Sequence, residues 1–153
     1  MSIFGGAEPT VKALSLWQPW ASAVSINAKR IETRSWWTPY RGRLAIHAAK
    51  KDTPELREFF TWKACEPVRR VFPRFDDLPL GAIIATCRLV ECLQATDVDC
   101  LSEQEKALGD YSLGRYAWVF EEIERLDTPV PCRGFQGIFD WPAAVVQTEP
   151  QLF

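Results

Sequence analysis

The stretch from Lys12 to Trp36 reads KALSLWQPWASAVSINAKRIETRSW, and it predicts a strand, a short helix and a second strand in succession. Residues 12–16 alternate between apolar and polar side chains, which is typical of a strand. Pro19 suits the first turn of a helix, because its missing N–H costs nothing there. Asn27 suits the end of that helix, because Asn tolerates the left-handed backbone conformation. The second strand is predicted over residues 31–36.

This second strand contains the densest run of polar side chains in the chain. Alternate residues of a strand share a face, so Glu32, Arg34 and Trp36 are expected to point to one side. Lys29 lies at the junction before the strand, from which it can reach the same side. The spacing alone leaves two interpretations open, an exposed strand with a weak salt bridge or the wall of a functional cleft.

The remainder of the chain predicts four further strands and two further helices. A third strand over 43–49 is expected to form a hairpin with the second, and later strands are predicted over 81–93, 115–126 and 138–141. One helix is predicted from Asp52 to about Cys65, and Ser102 begins a capping box for another, which Gly109 ends. Val145 and Val146 are a candidate edge strand. This pattern predicts an α+β fold, with a small curved sheet or barrel and peripheral helices.

The composition indicates one globular domain. The chain has 153 residues, of which 47% are hydrophobic and 25% charged, close to the average of soluble proteins. We expect residues 1–11 to be a flexible extension, 12–148 a single domain and 149–153 a tail. No apolar run approaches the roughly 20 residues that span a bilayer, and the first residues do not resemble a signal peptide. We therefore expect a cytoplasmic protein without a membrane partner.

The charges are unevenly distributed along the chain. A net charge of -2 argues against a protein that coats nucleic acid by bulk charge. From Lys29 to Lys51, however, seven basic residues stand against Glu32 alone, and aromatic residues are interleaved with them. Such a stretch is either a solvated face or a surface that holds single-stranded nucleic acid by stacking and charge. Residues 91–127 are acidic, with ten acids and three bases.

Several kinds of chemistry lack their sequence patterns. The five cysteines include no C-x-x-C pair, and His47 is the single histidine, so a usual structural zinc site is not expected. Free thiols in a reducing compartment are the prediction. The sequence has no phosphate-binding loop, dinucleotide fingerprint or G-x-S-x-G motif. We predict neither a metal nor a cofactor.

The segment Lys29-x-x-Glu32-x-Arg34, preceded by Leu14-Ser15-Leu16-Trp17-Gln18-Pro19-Trp20-Ala21, resembles the signature of the ASCH (activating signal cointegrator homology) domain family. The family pattern is Gly-x-Lys-x-x-Glu-x-Arg. Asn27 takes the glycine position, and both residue types tolerate the left-handed conformation. The similarity continues through residues 46–50, 81–85, 114–118 and 131–137, so it covers about residues 12–142.

The resemblance implies a PUA-like small β-barrel of about six strands, with a cleft between the barrel and its short helices, and a role in RNA metabolism. It also implies Lys29, Glu32 and Arg34 as the candidate catalytic residues of the cleft. Some family members resemble amidohydrolases of acetylated cytidine, and others resemble ribonucleases. In the amidohydrolase branch a Thr stands where this chain has Glu32, and only Glu105 is a candidate for the further glutamate that those enzymes use.

A hydrolytic mechanism at these residues can be stated as a hypothesis. Arg34 would stabilise a developing oxyanion through its guanidinium donors. Lys29 would act as base or nucleophile if its pKa is lowered. If Glu32 is the base instead, a charged Lys29 would stabilise anionic charge.

Further residues are candidates for ligand binding around this cleft. Trp17, Trp20 and Trp36 could stack on a base, and the other candidates are Gln18, Pro19, His47, Lys50, Tyr111, Ser112 and Arg115. A hydrogen-bonded structural role is the alternative for His47, and a structural turn is the alternative for Tyr111 to Arg115. Three other tryptophans, Trp62, Trp118 and Trp141, are predicted to lie in the core.

Three functions follow from these patterns. The first is binding of RNA or a modified nucleoside in the cleft, and the second is a small metal-independent hydrolase. The third is a protein-interaction domain that presents the acidic residues 91–127 to a basic partner. A binding module should lose affinity gradually as single basic residues are removed, whereas a catalyst should lose turnover sharply with one residue. The sequence leaves the oligomeric state open.

Overall fold

The computed structural model of the protein describes residues 10–142, and this part of the chain contains six strands and four α-helices. The strands are β1 (Thr10–Leu16), β2 (Ile31–Arg34), β3 (Gly42–Ala48), β4 (Ala82–Gln94), β5 (Tyr116–Pro131) and β6 (Ile138–Pro142). The helices are α1 (Trp20–Ser25), α2 (Pro54–Phe59), α3 (Glu66–Val71) and α4 (Glu103–Ala107). The α+β class predicted from the sequence is confirmed. The predicted extension and tail, and the candidate edge at Val145 and Val146, lie largely or wholly outside the described residues.

The six strands form one sheet in the order β2-β5-β4-β3-β1-β6. Strands β1 and β3 are parallel, and the other neighbours are antiparallel. Within residues 10–142 the outer strands β2 and β6 do not pair with each other, so the sheet is open. The predicted closed barrel is therefore not confirmed. Closure requires the two outer strands to hydrogen-bond to each other, whereas β2 pairs with β5 on one edge and with no described strand on its other edge.

The predicted hairpin between the second and third strands is wrong. In β2, Glu32 lies opposite Trp118 and Thr33 lies opposite Ala117, both in β5. Strand β3 lies between β1 and β4. The physical reason is that β3 is apolar on both faces, so it is stabilised most as a central strand with a neighbour on each side. The segment with α1 and β2 then becomes the crossover that a parallel β1–β3 pair requires.

Each face of the sheet packs against its own apolar cluster. Leu14, Leu16, Leu44 and Ile46 face α1 in one cluster, together with the buried Trp118. The intervening residues of the same strands face the opposite side, where the cluster is Val11, Ala13, Ala45, Ile83 and Trp141. This alternation is the period of two that a strand imposes on its side chains. Trp118 and Trp141 lie in the core, as predicted.

The helices form a second layer beside the first cluster. The helix predicted from Asp52 to Cys65 is divided, because α2 ends at Phe59 and a 3-10 turn over Lys63–Cys65 leads into α3. Trp62 lies in that break and is 53% exposed, so its predicted core position is wrong. Its ring packs edge-on against Phe59 instead of entering the core. No helix in the described part of the chain is long and apolar enough to cross a membrane.

The five cysteines are free thiols, as predicted. Three of them, Cys65, Cys87 and Cys92, are buried, whereas Cys132 is partly buried and Cys100 is exposed. Burial raises the pKa of Cys65 to about 11 and the pKa of Cys87 to about 12. Because the thiolate is the reactive form, these two cysteines are inert parts of the core.

Candidate functional site

A cleft of about 1370 Å³ lies between the sheet and the short helices. One side is formed by the end of β1 and the start of α1, and the next by residues 32–36 of β2 and its continuation. Residues 107–110, at the end of α4, and residues 131–137, from the end of β5 onward, complete the lining. The fold therefore brings together segments that are as far apart in the chain as Ser15 and Gly137.

The turn between β1 and α1 is held by the buried side chain of Gln18. Its Nε2 donates to the Ser22 hydroxyl and to the carbonyl of Pro79, each at 2.8 Å, and its Oε1 accepts from the Ser22 N–H at 2.9 Å. These bonds satisfy an orphan donor in the first turn of α1. They also fix Trp17 and Trp20 on the rim of the cleft, which both residues line. Asn27 has φ 67°, which confirms the left-handed helix end.

The motif residues form a row of alternating charge at the β2 side of the cleft. Glu32 lies in the middle, with Oε1 3.7 Å from Lys29 Nζ and Oε2 3.3 Å from Arg34 Nη1. Arg34 also reaches the carbonyl of Ser15, at 3.4 Å. Glu32 and Arg34 line the cleft, whereas Lys29 lies behind them with a side chain that is 1% exposed.

The environment of Lys29 is polar although it is buried. Its Nζ donates to the carbonyl of Leu108 at 2.8 Å, just beyond the end of α4. Burial lowers the pKa of Lys29, because a charged ammonium is poorly solvated there, while the carboxylates of Glu32 and Glu105 oppose this effect. The nearby Tyr111 phenol is also buried, and burial together with the same two carboxylates raises its pKa.

His47 closes the β3 side of the cleft and has a partner on each ring nitrogen. Nδ1 lies 2.9 Å from Ser15 Oγ, and Nε2 lies 2.7 Å from the carbonyl oxygen of Cys132. A carbonyl only accepts, so Nε2 carries the proton of the neutral ring and Nδ1 accepts from the Ser15 hydroxyl. The histidine thus has the satisfied structural role that the sequence left open, and its ring still borders the cleft.

Aromatic rings line much of the cleft. Trp20 stacks on Phe59 with centroids 4.8 Å apart, and Trp36 meets Trp118 edge-on at 4.7 Å. Trp17 and Phe135 are half exposed at the rim. Lys51 Nζ lies 3.9 Å from the centre of the Trp17 ring, within cation–π distance. The rim therefore combines half-exposed aromatic rings with a cation that lies over one of them.

Cations outnumber carboxylates in this lining. The cations are Arg34, Lys50, Arg115 and Arg133, whereas Glu32 and Asp110 are the carboxylates among the described lining residues. The described part of the chain has no group of three or more His, Cys, Asp or Glu residues arranged to hold a metal ion. The arrangement is suited to a ligand with both flat rings and negative charge.

The structure brings most of the predicted site residues together. The lining includes Trp17, Trp20, Glu32, Arg34, Trp36, His47, Lys50 and Arg115, but not Gln18, Pro19, Lys29, Tyr111 or Ser112. Lys29 and Tyr111 support the lining from behind, because Lys29 donates to the Leu108 carbonyl and the Tyr111 ring lies against Gly109. Gln18 instead bonds to Ser22 and Pro79, which lie outside the lining. The catalytic and ligand-binding roles of all these residues stay predictions.

Ser15, Phe59 and Asp110 are among the lining residues that sequence reasoning missed. Ser15 lies opposite His47 in the β1–β3 register, a pairing that was not predicted. Phe59 ends α2, whose early termination the sequence pattern did not show. Asp110 follows the helix-ending Gly109, and its side chain accepts from Ser112. A polar residue directly after a helix-ending glycine was the available signal for that turn.

An open, mixed six-stranded sheet flanked by short helices, with an aromatic and cationic cleft beside them, defines a small α+β domain with a candidate binding cleft. The family model named ASCH domain matches residues 14–130 of the chain. This chain belongs to the ASCH domain family, as the resemblance of its motif predicted.

Known relatives agree with this assignment. The human protein Activating signal cointegrator 1 is 33% identical over 124 residues, which are 79% of this chain and 20% of that protein. Its mouse counterpart is 32% identical over the same length. The chain thus spans about one fifth of the length of these relatives.

Solved structures show the same fold. The crystal structure of ASCH from Zymomonas mobilis matches with a TM-score of 0.53 and 13% identity, covering 92% of this chain and 94% of that one. A mutant of the same protein matches with a TM-score of 0.51, again at 13% identity, and covers 92% and 96% of the two chains. At this identity the likeness concerns the fold.

Proposed function

We propose that the chain binds single-stranded RNA, or a modified nucleoside, in the cleft and serves RNA metabolism. The observation that supports this most is the alternation of flat aromatic rings and cationic side chains along one cleft. Membership of the ASCH family supports the same role. The free cysteines support a location in the reducing cytoplasm.

Stacking is the first source of affinity in this proposal. The Trp17 side chain is half exposed, and a base would stack on the exposed part of its ring. Lys51 Nζ lies over the same ring. Stacking of a base on an aromatic ring contributes about 1–3 kcal/mol. Any base has a flat face, so this contribution tolerates different sequences.

Phosphate contacts are the second source of affinity. Arg34, Lys50, Arg115 and Arg133 line the cleft, and an RNA strand that contacts them releases counterions. For single strands the slope of log K against log salt is about -0.7 for each neutralised phosphate. Four contacts therefore predict a slope no steeper than about -3.

The test compares two tryptophans of equal exposure. Trp17 and Trp37 are each 50% exposed. Of these two, Trp17 belongs to the cleft lining and Trp37 does not. We expect Trp17→Ala to weaken binding of a labelled ten-nucleotide single-stranded RNA by roughly 5- to 100-fold, the equivalent of one lost stack. Trp37→Ala should leave the affinity unchanged, and fluorescence anisotropy at fixed salt measures both.

Two arginine substitutions test the phosphate contacts. Arg133→Ala should weaken binding and make the salt slope shallower by about 0.7, while Arg70→Ala, on the exposed face of α3, should change neither. Equal affinities for Trp17→Ala and Trp37→Ala would contradict the proposal. Tight binding to a protein with no affinity for RNA or nucleosides would favour the interaction domain instead.

A hydrolase is the second candidate, and the Glu32–Arg34 pair favours it. A carboxylate base and a guanidinium that can stabilise an oxyanion stand 3.3 Å apart at the cleft wall. The assay is turnover of acetylated cytidine and of short single-stranded RNA by the wild type and by Glu32→Gln. Loss of turnover with retained affinity would establish the enzyme, and no turnover by the wild type would leave the binding module.

A further inference from the structure

Two neighbouring segments of the cleft lining are joined to each other behind the lining. We call residues 29–36 the β2 wall and residues 103–115 the α4 wall. The buried Lys29 Nζ donates to the carbonyl of Leu108 in the α4 wall. The Arg30 N–H donates in the same direction, to Glu105 Oε2. Both donors therefore belong to the β2 wall and both acceptors to the α4 wall.

Thr33 supplies the remaining side-chain bonds between the two walls. Its hydroxyl accepts from the Asp110 N–H at 3.2 Å, and its carbonyl accepts from Arg115 Nη2 at 2.8 Å. Lys29 differs from these partners because it is a cation with almost no exposure to solvent. A buried cation is strongly held by its partners, since leaving it unpaired is costly.

The charges behind the cleft balance only if Lys29 is counted. Glu32 has Arg34 beside it at 3.3 Å. Glu105 has one oxygen bonded to the Arg30 N–H, while its other oxygen is buried without a hydrogen-bond partner. Lys29 is the buried cation that the carboxylates of Glu32 and Glu105 both stabilise. Without it, the Leu108 carbonyl would lose its Lys29 donor, and the buried Oε1 of Glu105 would lose a stabilising positive charge.

Lys29 is also separated from the space that a ligand would occupy. It does not belong to the cleft lining, whereas Glu32 and Leu108, its two nearest polar partners, do. Any effect of Lys29 on a ligand therefore passes through the positions of these two residues.

We propose that Lys29 is a positioning residue that clasps the α4 wall to the β2 wall and so fixes the lining residues Glu32 and Leu108, without touching the ligand. The expected effect of Lys29 on ligand binding rests on the proposed function. The clasp itself is a property of the two walls and is measurable without any ligand.

The test uses a pair of substitutions that restore the charge balance. Lys29→Met removes the buried cation and leaves Glu105 without compensation. Glu105→Gln removes the matching charge but keeps an amide oxygen for the Arg30 N–H. Leaving a charge near the interior uncompensated is more harmful than removing both opposite charges, so Lys29→Met combined with Glu105→Gln should behave more like the wild type than Lys29→Met does.

Two measurements compare these variants with the wild type, namely amide hydrogen exchange and RNA affinity. Amide hydrogen exchange in residues 103–110 should be at least about tenfold faster in Lys29→Met, and largely restored in the double variant. Affinity for the ten-nucleotide RNA, measured on folded protein, should fall by about tenfold and recover in the same way. Lys106→Met, on the exposed side of α4, is the control and should change neither readout.

The outcomes separate the clasp from its alternatives. Unchanged amide exchange in Lys29→Met would overturn the proposal. A double variant whose RNA affinity stays as low as that of Lys29→Met would also overturn it, because Glu105→Gln cannot rescue the loss of a lysine that contacts the ligand. If Lys29→Met does not fold, a folded double variant with wild-type exchange supports the clasp and an unfolded one overturns it. If the wild type binds no RNA, the proposed function fails while the exchange data still decide on the clasp.

Discussion

His47 shows how one residue can join distant segments of this fold. It links Ser15 in β1 to the Cys132 carbonyl after β5 through its two ring nitrogens. Gly134 lies so close to the same ring that a Cβ at that position would come within 2.5 Å of the imidazole carbon Cε1. The loop of residues 131–137 is therefore seated on the imidazole, and a side chain at position 134 would push it away from the cleft.

The protonation of His47 should make stability depend on pH. Burial lowers the pKa of His47 below its usual 6.5, with the hydrogen bond to Cys132 opposing this effect. Below pH 6.5 the His47 imidazole binds a proton more readily in the unfolded chain than in the folded protein. The free energy of unfolding should therefore fall with decreasing pH. Urea unfolding between pH 7.5 and 5.5 measures this loss.

The measurement is clean because the chain has a single histidine. Its imidazole resonance in an NMR titration should give a pKa below 6.5. His47→Gln should remove most of the pH dependence between 7.5 and 5.5, even if it lowers stability at both. A titration midpoint above 6.5 would contradict the burial argument.

At the scale of elements, the helices beside the cleft are too short to be stable alone. The lengths of α2 and α4 are six and five residues, well below the roughly 12–15 residues at which an isolated helix becomes marginal. Each has a capping side chain: Thr53 accepts from the Leu56 N–H, and Ser102 accepts from the Glu105 N–H. Caps and tertiary contacts therefore supply the stability that helix length does not.

The two caps allow a matched comparison. Ser102→Ala and Thr53→Ala should each lower the free energy of unfolding by about 0.5–2 kcal/mol, the usual effect of losing such a cap. Only Ser102→Ala should speed amide exchange in residues 103–110, because Ser102 caps the α4 wall. Equal exchange in this segment for both variants would show that the α4 wall does not depend on its cap.

The acidic region has a structural explanation at the same scale. Strand β2 pairs with β5 only over residues 116–119, so most of β5 continues beyond this partner. The residues that continue include the exposed Glu121, Glu122 and Glu124, and then Pro129. Charges and prolines at a strand edge discourage pairing with other chains. The acids of β5 therefore protect an edge of the sheet.

At the scale of the whole molecule, stability comes from the apolar clusters on the two faces of the sheet. Leu14 is fully buried in β1, which pairs with β3 on one side and β6 on the other. A substitution there disturbs the centre of the fold, whereas a leucine on the surface contributes little. Leu113, which is 85% exposed, is the matched residue for comparison.

We expect Leu14→Ala to lower the free energy of unfolding by about 2–5 kcal/mol, because it removes buried methyl groups and leaves a cavity. Leu113→Ala should stay within about 0.5 kcal/mol of the wild type. Urea unfolding at constant pH measures both, with equal m-values as the check for two-state behaviour. A small effect of Leu14→Ala would mean that the core collapses around the missing side chain.

The sequence by itself determined the local features of this protein. The alternation in β1, the position of Pro19 at the entry to α1 and the left-handed Asn27 after it depend on short-range sterics, and the structure confirms them. The Lys29-x-x-Glu32-x-Arg34 motif likewise identified the family. Two of its three side chains reached the cleft because alternate residues of a strand share a face.

The tertiary structure alone decided which strands pair and what stands behind the cleft. The β2–β3 hairpin did not form because β3, apolar on both faces, buries more surface between β1 and β4. Lys29 is buried because the Leu108 carbonyl and the carboxylates of Glu32 and Glu105 stabilise its charge there, and two of these partners, Leu108 and Glu105, are distant in the chain. Local propensity acts over a few residues, whereas pairing and burial depend on the apolar area that the whole chain removes from water.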